Sequence, residues 1–340
     1  SGNSGKAIEN ISPGQMVVLK DVYIKSNDLM VSPAGTIDGD KNNWKKFSNY
    51  AFSPSVRSSF IMVNGTDHSD LNNNVEYYDT IVSATPPSDL LSRHNWPVTW
   101  PSWDDTDKVN IVTDYNATPY NHTDDDSTVI NQAIADTTDP NHANYGKSVY
   151  IPRGHFHVLN NIDVKAGARL FGAGKNISVI HVDPNYVISG ETFVLDTELV
   201  ATANISMNDF AILKQESSVI KGLQAHKDMG FVRVRGNNTH MRDIQWAMVE
   251  ESTDNYYDAP ELVFTGNAGG KSYNTAVNTA VKYKGGGNVY GEYRRTLIEN
   301  TANQLDFYQL GVNNAEKTIL LEIDDADNVN IYALKYEEEN

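Results

Sequence analysis

Cysteine is absent from this chain of 340 residues, which rules out disulfides and thiolate metal sites. Basic residues are scarce: 27 Lys and Arg stand against 44 Asp and Glu, for a formal charge of −17. That balance excludes nucleic acid and anionic membrane as partners, because both need clustered cations. No apolar run approaches the ~20 residues that span a bilayer, so no membrane span is expected. The first residues, Ser1-Gly2-Asn3-Ser4-Gly5, are small and polar and lack a basic-then-apolar leader, so they read as a mature or engineered start. What remains is an acidic chain with 39% hydrophobic residues, enough for a core. The acidity suits neutral sugar polymers or bound Ca²⁺, or serves only to keep a secreted protein in solution.

Helical periodicity is nearly absent as well. One short run has it: Asp124-Asp125-Asp126-Ser127 followed by Val129, Ile130, Ala133 and Ile134 on a single stripe. The acidic cluster should supply an N-cap and first-turn charge. A helix with one apolar face would plug the open end of a stack of strands, where a sheet edge would otherwise lie bare. Strands follow, with Gly146-Lys147-Ser148-Val149-Tyr150-Ile151-Pro152-Arg153-Gly154-His155-Phe156-His157 and then Arg169-Leu170-Phe171-Gly172-Ala173-Gly174.

Three later segments share one offset pattern, with inward-facing residues at relative positions 0, 2, 5 and 7. They are Ile205, Met207, Phe210, Ile212; Thr239, Met241, Ile244, Trp246; and Val329, Ile331, Leu334, Tyr336. Two inward residues, a corner and two more inward residues describe one turn of a solenoid. The separations imply coils of about 20–30 residues with unequal insertions. The expected fold is all-β: a parallel β-helix over 106–340, with a short capping helix and a β-rich module with a Trp/Pro linker over 1–105.

These residues resemble the pectate-lyase-like superfamily of right-handed parallel β-helices. The match lies in the acidic cluster opening a helix, Gly-x-x-Val-x-Ile-Pro-x-Gly-x-Phe, and Leu-Phe-Gly-Ala-Gly, within 109–182. A looser likeness, carried by Phe264–Asn274 and Asp306–Leu310, is to bacterial proteins near glycoside hydrolase family 55, the exo-β-1,3-glucanases. The resemblance implies a secreted or cell-surface protein whose partner is a polysaccharide. In such proteins further coils usually follow the position matching Ile331–Leu334, whereas here the chain stops at Glu337-Glu338-Glu339-Asn340. Self-association, or a second chain completing the C-terminal coils, is one expectation from that stop.

Sugar hydrolysis needs two carboxyl groups, ~5–5.5 Å apart for retention and ~6.5–9.5 Å for inversion. Candidates are Glu250, Glu251, Asp254 and Asp258, interleaved with Tyr256 and Tyr257 and preceded by Trp246. A solvated acidic loop is the plain alternative. Asp324 and Asp325 form a second cluster, which could equally be a turn, with Ca²⁺ held by its oxygens. No organic cofactor is implied. Trp96, Trp100 and Trp103 either pin the linker to a domain or offer aromatic faces to pyranose rings. A lyase would need a base such as Arg233, Arg235, Arg242 or the Arg294-Arg295 pair, and the net charge ranks it below hydrolysis. His155 and His157 share a strand face without an evident third metal ligand. The rival to an enzyme is a structural subunit, a filament, sheath or adhesin, assembling through coil ends or edges.

Overall fold

The computed structural model describes residues 6–10, 17–26, 28–54, 61–63, 66–70, 72–89, 98–121, 123–183, 192–215, 229–250, 260–281, 296–313, 321–332 and 334–337. The chain divides into two compact units, Ser1–Asn95 and Trp96–Asn340, so Trp100 and Trp103 belong with the second. Among the described residues, no helix is long and apolar enough to cross a membrane.

The first unit is β-rich. Val17–Ile24, Lys45–Ser53 and Val75–Ile81 form an antiparallel sheet with the middle strand between the others. Lys6–Glu9 pairs in parallel with Asp28–Ser32, which turns back onto Gly35–Asp38. Ile24, Met30, Phe47, Tyr50 and Phe52 make its small core. Ser32 and Tyr50 each donate a hydroxyl hydrogen bond to Glu76 Oε1.

The second unit is a stack of parallel strands in three sheets. The first face runs Lys108–Asn110, Ser148–Ile151, Arg169–Gly172, Ile205–Asn208, Thr239–Arg242, Gly270–Tyr273, Leu305–Tyr308 and Val329–Ile331. The second runs from Gly154–Val158 to Leu334–Glu337, and the third from Ile162–Val164 to Leu321–Ala326. The expected pattern is the register itself. Ile205 pairs with Thr239, Met207 with Met241 and Ile212 with Trp246. Thr239 then stacks with Gly270, Leu305 and Val329 in turn, so the last matching segment lies three coils on. Between the first and second faces the corner is one left-handed residue: Asp209 (φ 61°), Asp243 (51°), Asn274 (48°) and Gln309 (59°). Asp and Asn adopt that conformation more readily than other side chains, which is why polar residues sit there.

Helix Ser127–Thr138 closes one end of the stack, with Ile130, Ala133 and Ile134 fully buried on the core. Its acidic cluster does something other than cap it. Asp126 is the N-cap residue, yet its side chain makes no cap bond, and no acidic residue occupies the first turn. The Asp126 carboxylate instead accepts the N–H groups of Thr118 (2.9 Å) and His157 (3.1 Å). Asp125 accepts from Ser127 N–H (3.0 Å) and Leu159 N–H (3.0 Å). Burial opposes ionisation of Asp125, but the Ser127 hydroxyl together with these backbone bonds outweighs it and holds its pKa below the usual range. Asn131 donates to Asn161 O and accepts from Asp163 N, so its amide stands in for a missing strand. The cluster and the helix thus seal the edges of the second and third faces, and Lys108–Asn110 covers the first. In the outermost described coil at the other end, the inward Ile323 is 47% exposed.

The glycine of Leu-Phe-Gly-Ala-Gly has a packing reason. A Cβ on Gly172 would lie 2.2 Å from the backbone oxygen of Asp209 on the next coil. Gly172→Ala should therefore lower stability by about 1–3 kcal/mol. Chemical denaturation checks this, and an unchanged midpoint would contradict the close approach.

Candidate functional site

Strand alternation turns residues 1 and 3 of each first-face strand outward, while 0 and 2 enter the core. Outward residues therefore line up from coil to coil, about 4.8 Å apart. One column reads Ser206, His240, Lys271, Asp306, Asn330. The column beside it reads Asn208, Arg242, Tyr273, Tyr308, and Tyr332 continues it with its ring stacked on Tyr308 at 4.6 Å.

The first column holds three consecutive titratable groups. His240 is buried. Its Nδ1 accepts the backbone N–H of Lys271 at 3.2 Å, so the proton sits on Nε2, which donates to Asn238 Oδ1 at 2.7 Å. Burial, with the Lys271 charge adding to it, pushes the imidazole pKa down to about 4. Burial also lowers the Lys271 pKa, and the neighbouring Asp306 opposes that shift. Asp306 is buried and accepts both oxygens' worth of hydrogen bonds from Gln304 Nε2 (3.0 and 2.9 Å), with a third from Asn330 Nδ2 (3.0 Å). Burial raises the Tyr308 pKa, and Asp306 and Tyr332 add to it. In the second column Arg242 pairs with Asp209 at 2.9 Å and Asp243 at 3.5 Å, and its guanidinium lies over the Trp100 ring at 4.9 Å. A lysine whose pKa burial lowers, a positioned carboxylate and an aromatic column together can hold a polyhydroxylated chain and exchange protons with it.

The expected site residues fare unequally. Glu251, Asp254, Tyr256, Tyr257, Asp258 and Trp96 lie outside the described residues. Glu250 ends the strand Gln245–Glu250, and its side chain is likewise not described. Trp246 must be corrected: it is fully buried in the core, at an inward position, and offers no face to a sugar. Asp324 and Asp325 are exposed but not a pair. Asp324 stacks on Glu299 one coil away, whereas Asp325 is a left-handed corner residue (φ 46°) next to Asn300 (49°). Trp100 packs on Arg242, and Trp103 is 71% exposed. Among the candidate lyase bases, Arg233 and Arg235 converge on Asp196 at 2.7 and 2.9 Å. His157 meets Asp183 at 3.0 Å with the His181 ring edge-on, yet among the described residues no group of His, Asp and Glu could hold a metal.

Sequence reasoning missed Lys271, Asp306 and Tyr308. The coil of Lys271 was hidden because its inward positions are small or polar. Ser272 and Thr275 are buried there and hydrogen-bond each other at 2.8 Å. The neighbouring coil repeats the pattern openly as Leu305, Phe307, Leu310 and Val312.

A stack of parallel coils with a helical plug and an outward ladder of polar and aromatic residues is the architecture of a pectate-lyase-like protein. Residues 109–319 match the model of the family described as rhamnogalacturonase A/epimerase, pectate lyase-like, and the chain belongs to that family. No curated protein sequence matches it. Among solved structures, pre-mature bacteriophage phi29 gene product 12 is similar at 15% identity (TM-score 0.36), over 67% of this chain and 33% of that one. Geobacillus virus E2 ORF18 is similar at 12% identity (0.31), over 82% and 65%. The catalytic unit of a GH87 α-1,3-glucanase from Streptomyces thermodiastaticus is similar at 13% identity (0.32), over 84% and 55%. The chain thus spans between a third and two thirds of these proteins' lengths. At such identities neither the enzyme's activity nor any role of the phage proteins transfers. None of these findings bears on the narrower likeness to family 55.

Two outcomes follow from the geometry. His240 is neutral in the folded protein down to about pH 4, whereas in the unfolded chain it takes a proton near 6.5. Stability should therefore fall as pH drops from 6.5 to 4, by roughly 3 kcal/mol at most from this residue. Denaturation curves at pH 7 and 4.5 measure the fall, and His240→Asn should remove most of it. Trp246→Ala should cost about 3–5 kcal/mol of stability. A loss of sugar affinity without a loss of stability would restore the surface role for Trp246.

Proposed function

We propose that the protein is an extracellular, carbohydrate-active solenoid that holds a neutral, glucan-like polymer along its first face and hydrolyses it beside Lys271 and Asp306. The ladder of outward side chains carries this reading. Each coil advances by about 4.8 Å, so successive sugar units meet equivalent positions. Tyr273, Tyr308 and Tyr332 line the track; the Tyr308 and Tyr332 rings lie face to face, so they present ring edges and hydroxyls to a sugar, and the polar column supplies further hydrogen bonds. The cations on this stretch have carboxylates beside them, Arg242 with Asp209 and Lys271 with Asp306, which suits an uncharged polymer. Family membership supports a carbohydrate ligand, on fold-level grounds.

In hydrolysis, water adds across the glycosidic bond. Lys271, whose pKa burial lowers, gives its proton to the departing oxygen, and the proton that the attacking water gives up passes to solvent. Asp306, buried on the next coil and already held by Gln304 and Asn330, positions the amine rather than touching the water.

A panel of β-1,3-glucan, α-glucan and pectin, read by sedimentation with the insoluble polymer and by release of reducing ends, tests the proposal. Binding to a neutral glucan is expected, weakened several-fold by Tyr308→Ala. Cleavage should be lost in Lys271→Met and Asp306→Asn with binding retained. Binding without any cleavage would leave a carbohydrate-binding protein and refute the hydrolytic part. No binding across the panel, with fibres in the electron microscope, would favour the structural subunit instead.

A further inference from the structure

We infer that Trp100 forms an end wall to the first-face groove, so that the protein takes the end of a carbohydrate chain rather than its middle. The inference rests on the reading of the first face given above.

The segment from Thr99 to Asp105 lies against that face and is fastened at three levels. Arg169 Nη2 donates to Thr99 O at 3.3 Å, two coils before the one that holds Arg242. Trp100 lies against the Arg242 guanidinium. Beyond it Pro101 is buried, and Ser102 and Asp105 close a turn, with Ser102 N–H to Asp105 Oδ2 at 2.8 Å and Asp105 N–H to Ser102 O at 3.0 Å. Lys108, in the first strand of the face, donates to Asp105 O.

The burial of the second outward column changes along the face, whereas in the first column His240 and Asp306 stay buried. Before Arg242, the outward Phe171 and Asn208 of that second column are 1% and 0% exposed. From Arg242 onward, Arg242, Tyr273 and Tyr308 keep part of their surface in solvent, and Tyr332 is 49% exposed. A polymer lying on Tyr332, Tyr308 and Tyr273 therefore meets the Trp100–Arg242 pair and has no open track beyond it. A terminal pyranose suits that stop. Its apolar face can pack on the indole, and the hydroxyl that an internal unit lacks can accept from the guanidinium.

Linear and cyclic glucan oligosaccharides of matched linkage and length test this by calorimetric titration. The native protein should bind the linear forms at least about tenfold more tightly than the cyclic ones, a difference of about 1.4 kcal/mol. Trp100→Ala should erase that difference by admitting the cyclic forms, and Trp100→Phe should keep it. Equal affinity for both forms in the native protein would overturn the end wall while leaving the polysaccharide reading intact. An unchanged preference in Trp100→Ala would likewise overturn it. Binding of neither form would overturn both.

Discussion

Register between coils is the constraint on which everything else depends. Each strand pairs with its equivalents one coil before and one coil after, and the left-handed residues Asp209, Asp243, Asn274 and Gln309 turn the chain at the same place each time. A slip of one residue would turn Met241, Ser272 and Phe307 out to solvent and bring Arg242, Tyr273 and Tyr308 into the core. The apolar core forbids that slip, and the outward columns are its by-product. A surface with a regular repeat thus arises from packing alone, before any residue is recruited to bind.

The same constraint explains how titratable groups come together here. His240, Lys271 and Asp306 are 31 to 66 residues apart in sequence yet occupy one column. Burial lowers the proton affinity of the imidazole and of the amine by penalising their charged forms; the Lys271 charge adds to the shift on His240, and Asp306 opposes the one on Lys271. On the third face the same stacking brings Asp196 under Arg233 and Arg235, and there it consumes the charges in ion pairs. On the second face it sets His157 beside His181 and Asp183. Among the described residues, only the first face combines perturbed groups with a run of partly exposed aromatic rings.

Much of the architecture was legible in the sequence because apolar spacing carries it. The helical stripe of Ile130, Ala133 and Ile134, and the inward positions of the Ile205, Thr239 and Val329 coils, are all where periodicity puts them. The acidic cluster was legible as a helix start but not in its role, because the partners of Asp125 and Asp126 lie some thirty residues away. The site was far less legible. Trp246 drew attention as an aromatic next to carboxylates, although its own place in the inward pattern already consigned it to the core. The Gly270 coil escaped because Ser272 and Thr275 satisfy each other inside the stack rather than announcing themselves as apolar.

The most direct measurement uses the absence of native cysteine. With cysteines at Tyr273 and Tyr308, which face each other across adjacent coils, mild oxidation should form an intramolecular disulfide in nearly all molecules. With cysteines at Tyr273 and Phe307 it should not, because those side chains leave the sheet on opposite sides. Mass analysis of the oxidised proteins reads the result. A disulfide in the second pair and none in the first would mean a shifted register, and the ladder of the first face would not exist.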